Sequence, residues 1–163
     1  MRKLALMLTV LMAVVAQPAR AATPEQDIAA VLDALHTAAA KADGPAYFAL
    51  YTPDATYLGT DAAERWSLDE FKGYATPYFS KGQGWTYVPR ERHITIAPVA
   101  CRCVAWFDEL LDSQSYGTSR GTGTLVLTPD GWKVSQYALT FPIPNDLAKD
   151  MTSSIKAFEA KAK

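Results

Sequence analysis

Past Gly82-Gln83-Gly84 the sequence changes its period. Before that point apolar residues recur every three or four positions. After it they alternate, in the four long runs WTYVPRERHITIA, CRCVAWFDELLD, SRGTGTLVLT and WKVSQYALTF. Alternation with period two is the pattern of a strand with one buried face. TPDGW, between the last two runs, has the composition of a hairpin turn. Such short turns make antiparallel neighbours. A chain that places its helices first and then runs a strand meander builds an α+β fold, with the helices gathered on one face of the sheet.

The helical half is delimited by its caps. Thr23-Pro24-Glu25-Gln26 opens a helix: Thr23 caps it, Pro24 suits the first position and Gln26 completes a capping box. Ile28, Val31, Leu32, Leu35 and Ala39 then form one apolar stripe, with His36 at its margin and expected on the surface. Asp43-Gly44-Pro45 ends this helix. A short second helix, AYFALYT, is expected to stop before a turn at Pro53-Asp54, and ATYLGT reads as a short strand. Ser67 and Glu70 form a second capping box, and Trp66 is spaced to staple onto Phe71. Tyr74, Ala75, Tyr78 and Phe79 extend that helix's apolar face, with Pro77 kinking or ending it. Asn145 is expected to cap a final helix whose stripe, Leu147, Met151, Ile155 and Phe158, should dock on the rest.

The N-terminus belongs to a different category. MRK is basic, LALMLTVLMAVVA is unbroken apolar sequence, and Ala19-Arg20-Ala21 is a small-x-small cleavage signal. These three parts make residues 1–21 a secretory signal peptide and residues 22–163 the mature domain. The apolar run is shorter than the ~20 residues that span a bilayer, so no stable membrane anchor is expected after cleavage. Export places the domain in the periplasm or outside the cell. Removing Arg2, Lys3 and Arg20 reduces 16 basic residues to 13 against 17 acidic ones, a net charge of −4. A mildly acidic chain with no basic cluster argues against nucleic acid as a partner. The only cysteines are Cys101 and Cys103. On a strand their Cα atoms would be ~6.5 Å apart, at the edge of disulfide range. Two half-buried thiols are therefore expected, with a strained bridge as the other reading. No metal site is expected, since no third ligand lies near.

Two stretches carry a family resemblance: YLGTDAAERW leading into a helix, and GTGTLVLTPDGWKVSQYALTFPIPND at the end of the meander. With WTYVPRERHI and VAWFDELLD in support, the chain resembles a SnoaL-like domain of the nuclear transport factor 2 superfamily. The resemblance implies a cone: a curved antiparallel sheet, a half-barrel, wrapped around the N-terminal helices over a mostly apolar cavity, with a C-terminal helix added. Members include ketosteroid isomerase, scytalone dehydratase, limonene epoxide hydrolase and polyketide cyclases, so the fold leaves the function open. Relatives often pair through the sheet, which implies a homodimer. Some carry a histidine or asparagine late in the last strand, where this chain has Ala138.

Chemistry in such a cone needs a carboxylate or histidine shifted by burial and a donor for developing charge. His93, Asp108 and Glu109 are the candidate catalytic residues. His93 lies mid-strand in RERHITI, where adjacent residues point to opposite faces. Asp108-Glu109 interrupts an apolar strand, so one of the pair should face inward, with Arg120 as a plausible ion-pair partner. Candidate ligand contacts are Tyr57, Asp61, Glu64, Trp66, Tyr78, Trp106, Arg120, Gln136 and Tyr137. Asp61 and Glu64 would form a polar rim, whereas Tyr57 and Tyr137 would donate hydrogen bonds inside. Hairpin pairing sets Leu125, Leu127, Trp132, Val134 and Gln136 against Thr122, Thr124, Lys133, Ser135, Tyr137 and Leu139, and either face is open to line the pocket. The motifs of serine hydrolases, zinc proteases and nucleotide enzymes are missing from the sequence, and no cofactor is expected. Three readings follow: an exported domain that binds a small apolar or aromatic molecule, an isomerase, dehydratase or hydrolase with a general base in the cavity, and an oligomerisation module.

Overall fold

A computed structural model describes residues 22–161 of the chain; the expected signal peptide, residues 1–21, lies outside the described residues. Helix α1 (Pro24–Ala40) starts at the expected capping box, in which the Thr23 hydroxyl accepts the Gln26 N–H and the Gln26 side chain accepts the Thr23 N–H. Helix α2 (Gly44–Phe48) is shorter than expected. The chain then enters strand β1 (Tyr51–Leu58) and continues through Pro53-Asp54 instead of turning there. The register against the neighbouring strand shifts between Tyr51 and Thr56, so Pro53 occupies a stretch where no ladder needs its missing N–H.

A short strand, β2 (Arg65–Ser67), was not expected; it sets Trp66 opposite Tyr57. Helix α3 (Leu68–Phe79) follows with its capping box formed by Ser67 and Glu70. The staple is present: the Trp66 and Phe71 rings are stacked with centroids 5.8 Å apart and planes 6° apart. Pro77 is accommodated inside the helix, which ends two residues later.

The meander consists of β3 (Val88–Ile96), β4 (Val104–Ser113), β5 (Gly117–Thr128) and β6 (Gly131–Thr140). The curved sheet has the order β2-β1-β6-β5-β4-β3. All pairings are antiparallel except that of β1 with β6, which is parallel. Helices α1 to α3 cover one face. Ile28, Leu32, Phe71 and Ala75 meet Phe107, Leu111, Leu125 and Val134 in the core. The question of which face of β6 points inward has a two-part answer. Leu125 pairs with Val134 and Thr124 with Gln136, leaving Ser135 as an extra residue. This bulge reverses the alternation, so Trp132, Val134, Tyr137 and Leu139 are all buried while Gln136 faces out.

Two further expectations are corrected. Cys101 and Cys103 are joined by a disulfide, with Cα atoms 5.1 Å apart. They lie in the turn before β4, and Arg102 between them has φ +48°. That left-handed residue brings the cysteines closer than strand geometry would. Helix α4 (Asn145–Glu159) does not dock, since it buries none of its residues and leaves Leu147, Met151, Ile155 and Phe158 exposed. Pro144, not Asn145, occupies its cap position, without a side-chain cap bond. Pro142 and Pro144 hold the preceding link extended and carry the helix away from the sheet.

Candidate functional site

Glu109 is the most buried charged group among the described residues, with 0 % exposure. Strand alternation on β4 turns it inward beside Phe107 and Leu111, while Asp108 faces out. Its oxygens are fully engaged. Oε1 accepts from His36 Nε2 at 2.7 Å and from the Tyr137 hydroxyl at 3.3 Å, and Oε2 accepts from Arg92 Nε at 2.8 Å. Arg92 is the cross-strand neighbour of Glu109 and also donates to Asp33 at 2.8 Å and to the Ala29 carbonyl at 3.2 Å. Gly121 on β5 makes the arrangement possible: a Cβ there would collide with the Tyr137 hydroxyl and lie 3.0 Å from Glu109 Oε1.

Burial disfavours the charged form of Glu109, but the hydrogen bonds and charges of His36 and Arg92 outweigh it. The carboxyl is held below its ordinary value. An ionised carboxylate only accepts hydrogen bonds, so Nε2 of His36 carries the proton that bridges the pair. Arg92 is likewise held charged. Burial works against its charge, and Asp33 and Glu109 overcome it. Burial above all, then the Glu109 charge, raises the Tyr137 hydroxyl well above its usual range, so it stays a neutral donor.

Above this network a cavity of about 260 Å³ opens to solvent. Trp66, Tyr74, Trp85, Tyr87, Tyr116 and Phe141 form most of its wall, with Tyr57 and Phe71 deeper and Glu64 beside Gly59 and Thr60. Tyr57 is sandwiched in a row of near-parallel rings, 3.8 Å from Phe71 and 5.7 Å from Tyr137 between centroids. A recess of about 10 Å³, room for roughly one water, is bordered by His36, Tyr137 and Leu139 and shares Tyr57, Trp85 and Tyr87 with the cavity. The charged network therefore forms the floor, and the aromatic cage stands over it.

The structure distributes the sequence-derived candidates unevenly. Tyr57, Glu64 and Trp66 line the cavity, and Tyr137 borders the recess. Asp61 is exposed in the rim turn, where it accepts the Ala63 N–H. Tyr78 is exposed, outside the cavity and against Tyr74. Trp106, Asp108, Arg120 and Gln136 belong to the outer sheet face. Arg120 sits opposite Leu110 and does not reach Glu109; that place is taken by Arg92. His93 is exposed and its ring nitrogen lies 2.9 Å from Glu91, because strand parity turns Arg92 inward in its stead.

His36 corrects the surface expectation: it is only 8 % exposed. It follows Leu32 by one helical turn, and that spacing is the signal that places it on the buried stripe. Asp33, Arg92, Trp85, Tyr87, Tyr116 and Phe141 were also missed as site residues. Among them only Arg92 has a signal in the sequence, the parity of RERH. Among the described residues no group of three or more His, Cys, Asp or Glu is placed to hold a metal ion.

A sheet bent around helices, with a charged network toward one end and an opening ringed by aromatic side chains at the other, is a cone. The sequence matches the SnoaL-like domain over residues 28–144, most of the chain, and the protein belongs to that family. Solved structures agree on the fold. One is an NTF2-like protein of unknown function from Pseudomonas putida (16 % identity, TM-score 0.61, covering 74 % of this chain and 88 % of that one). Another is a proposed dehydratase of the NTF2-like family from Streptomyces avermitilis (14 %, 0.61, 75 % and 100 %). A third is a proposed ketosteroid isomerase from Shewanella frigidimarina (16 %, 0.56, 71 % and 96 %). At these identities the likeness is one of fold. No curated protein matches the sequence significantly.

Proposed function

We propose that the chain is an exported domain that binds a small aromatic or apolar molecule in its cone. The observation that carries this reading is the open, ring-lined cavity above a floor in which both oxygens of the Glu109 carboxylate are already paired. Glu109 is poorly suited to be a general base. It is fully buried, both oxygens are occupied, and its pKa is pushed down, whereas a base works best near the ambient pH. The enzymatic reading keeps one specific support, the His36 ring at the recess. With Nε2 committed to Glu109, only the other ring nitrogen would be free to take a proton.

Native mass spectrometry of protein purified without denaturation tests binding through a retained ligand. Tryptophan fluorescence titration with small aromatic compounds tests it directly. Leu139→Trp, which fills the cavity's inner end, should abolish both signals; unchanged binding would remove the cavity from the argument. The export part of the proposal predicts a mature chain beginning at Ala22, and an intact Met1 on membrane-bound material would overturn it. Pairing through the outer sheet face, where Trp106 is 45 % exposed, would give two chains by light scattering at micromolar concentration; a monomer would refute it.

A further inference from the structure

The composition of the cavity wall is asymmetric in charge. Its single charged side chain among the described residues is Glu64, and no lysine, arginine or histidine lines it. The Glu64 carboxylate is held in place: Oε2 accepts the Asp61 N–H at 3.1 Å, and the Gly59 N–H donates to the Glu64 carbonyl at 2.8 Å. A Cβ on Gly59 would overlap that carboxylate, so the absence of a side chain at 59 lets Glu64 lie against the wall. Its charge reaches the cage. Burial is the chief cause of the raised pKa of Tyr57 and Tyr74, and Glu64 adds to it at both.

We propose that the ligand is an organic cation, of the quaternary ammonium or protonated amine class, caged by the aromatic rings and paired with Glu64. Three comparisons of ligand chemistry lead there. An anion would meet a carboxylate and ring faces, which repel it, and would gain only tyrosine hydroxyls as donors. A neutral apolar ligand would cover Glu64 without giving it a partner, which costs free energy for a desolvated charge. A cation satisfies the carboxylate and is attracted by the faces of Trp, Tyr and Phe rings. Arg92 does not line the cavity and its charge is balanced by Glu109 and Asp33, so among the described residues no cation of the cavity wall is present to pair with Glu64. This inference rests on the cavity being a binding site, and its test separates the two.

The measurement is a fluorescence titration of the mature protein with phenyltrimethylammonium, its uncharged isostere tert-butylbenzene, and benzoate. The cation is expected to bind about tenfold or more tighter than the isostere, within the range that cation–π contacts supply, with benzoate weakest. Glu64→Gln should weaken the cation by about three- to tenfold and leave tert-butylbenzene unchanged, and added salt should weaken the cation while leaving the uncharged isostere as it was. If tert-butylbenzene binds as tightly as the cation, or Glu64→Gln weakens both equally, the cavity binds small molecules but not by charge, and this inference falls. If none of the three binds and native mass spectrometry finds no ligand on the purified protein, the binding reading falls with it.

Discussion

Replacing Glu109 with glutamine removes one charge from the cone floor while keeping the side chain's shape. Removing one partner of a buried ion pair typically costs about 3–5 kcal/mol, because the other charge is left desolvated. Here Arg92 retains Asp33 at 2.8 Å and the Ala29 carbonyl, and the amide can still accept one bond. The expected loss is therefore smaller, about 2–4 kcal/mol at neutral pH. At about 3 °C per kcal/mol for a chain of this size, the midpoint should fall by about 6–12 °C. The pH dependence has a definite sign. Glu109 has a folded pKa below its ordinary value of 4.5, so its contribution is complete above that value and is lost as pH falls toward the folded pKa. Thermal melts followed by circular dichroism from neutral to acid pH should show a gap between wild type and Glu109→Gln that narrows below the ordinary carboxylate range. A variant that melts with wild type at neutral pH, or a gap unchanged by acid, would refute the assignment of Glu109 as an ionised, structurally paired group.

Trp66→Ala should lower stability by about 2–4 kcal/mol, less than a fully buried aromatic because Trp66 is only partly buried, although it stacks on Phe71, Tyr57 and Tyr74; chemical denaturation measures it, and unchanged melting with lost binding would make Trp66 a ligand contact alone. Reducing the Cys101–Cys103 bridge should cost only about 1–2 kcal/mol, since the closed loop is so short; a large drop in the melting midpoint with reductant would contradict this. Truncation after Pro144 removes a helix that buries none of its residues, so the monomer's melting midpoint should stay within about 1–2 °C, and a larger fall would show that α4 packs on the domain in solution.

The parts of this fold that the sequence disclosed are those set by local chemistry. Two capping boxes and the Trp66 staple depend on contacts within five residues and were legible for that reason. The meander followed from alternation. What was hidden depends on partners far apart in the chain. His36 and Glu109 are 73 positions apart, and nothing near His36 announces a carboxylate. Arg120 was a reasonable partner for Glu109 until strand register placed it opposite Leu110. The position of α4 was misjudged because an apolar stripe states that a helix needs a surface, not which one. Tyr116 and Phe141 stack at 4.9 Å across the cavity mouth only because two loops meet there.

Ser135 is one residue in a strand of ten, and it is the one that β6 could lose without consequence for the interior. Val134 points inward, Ser135 and Gln136 both point away, and Tyr137 resumes the inward positions. Delete Ser135, and Gln136 follows Val134 directly: the alternation becomes regular, Tyr137 and Leu139 stay inward, and the pairs that Gln136 and Tyr137 make with β5 are kept. Delete Ala138 instead, and Leu139 turns to the outer face. The strand therefore carries its tolerance for a change of length at a single position. Loss of one codon would be silent there and would rewrite the lining three residues further on.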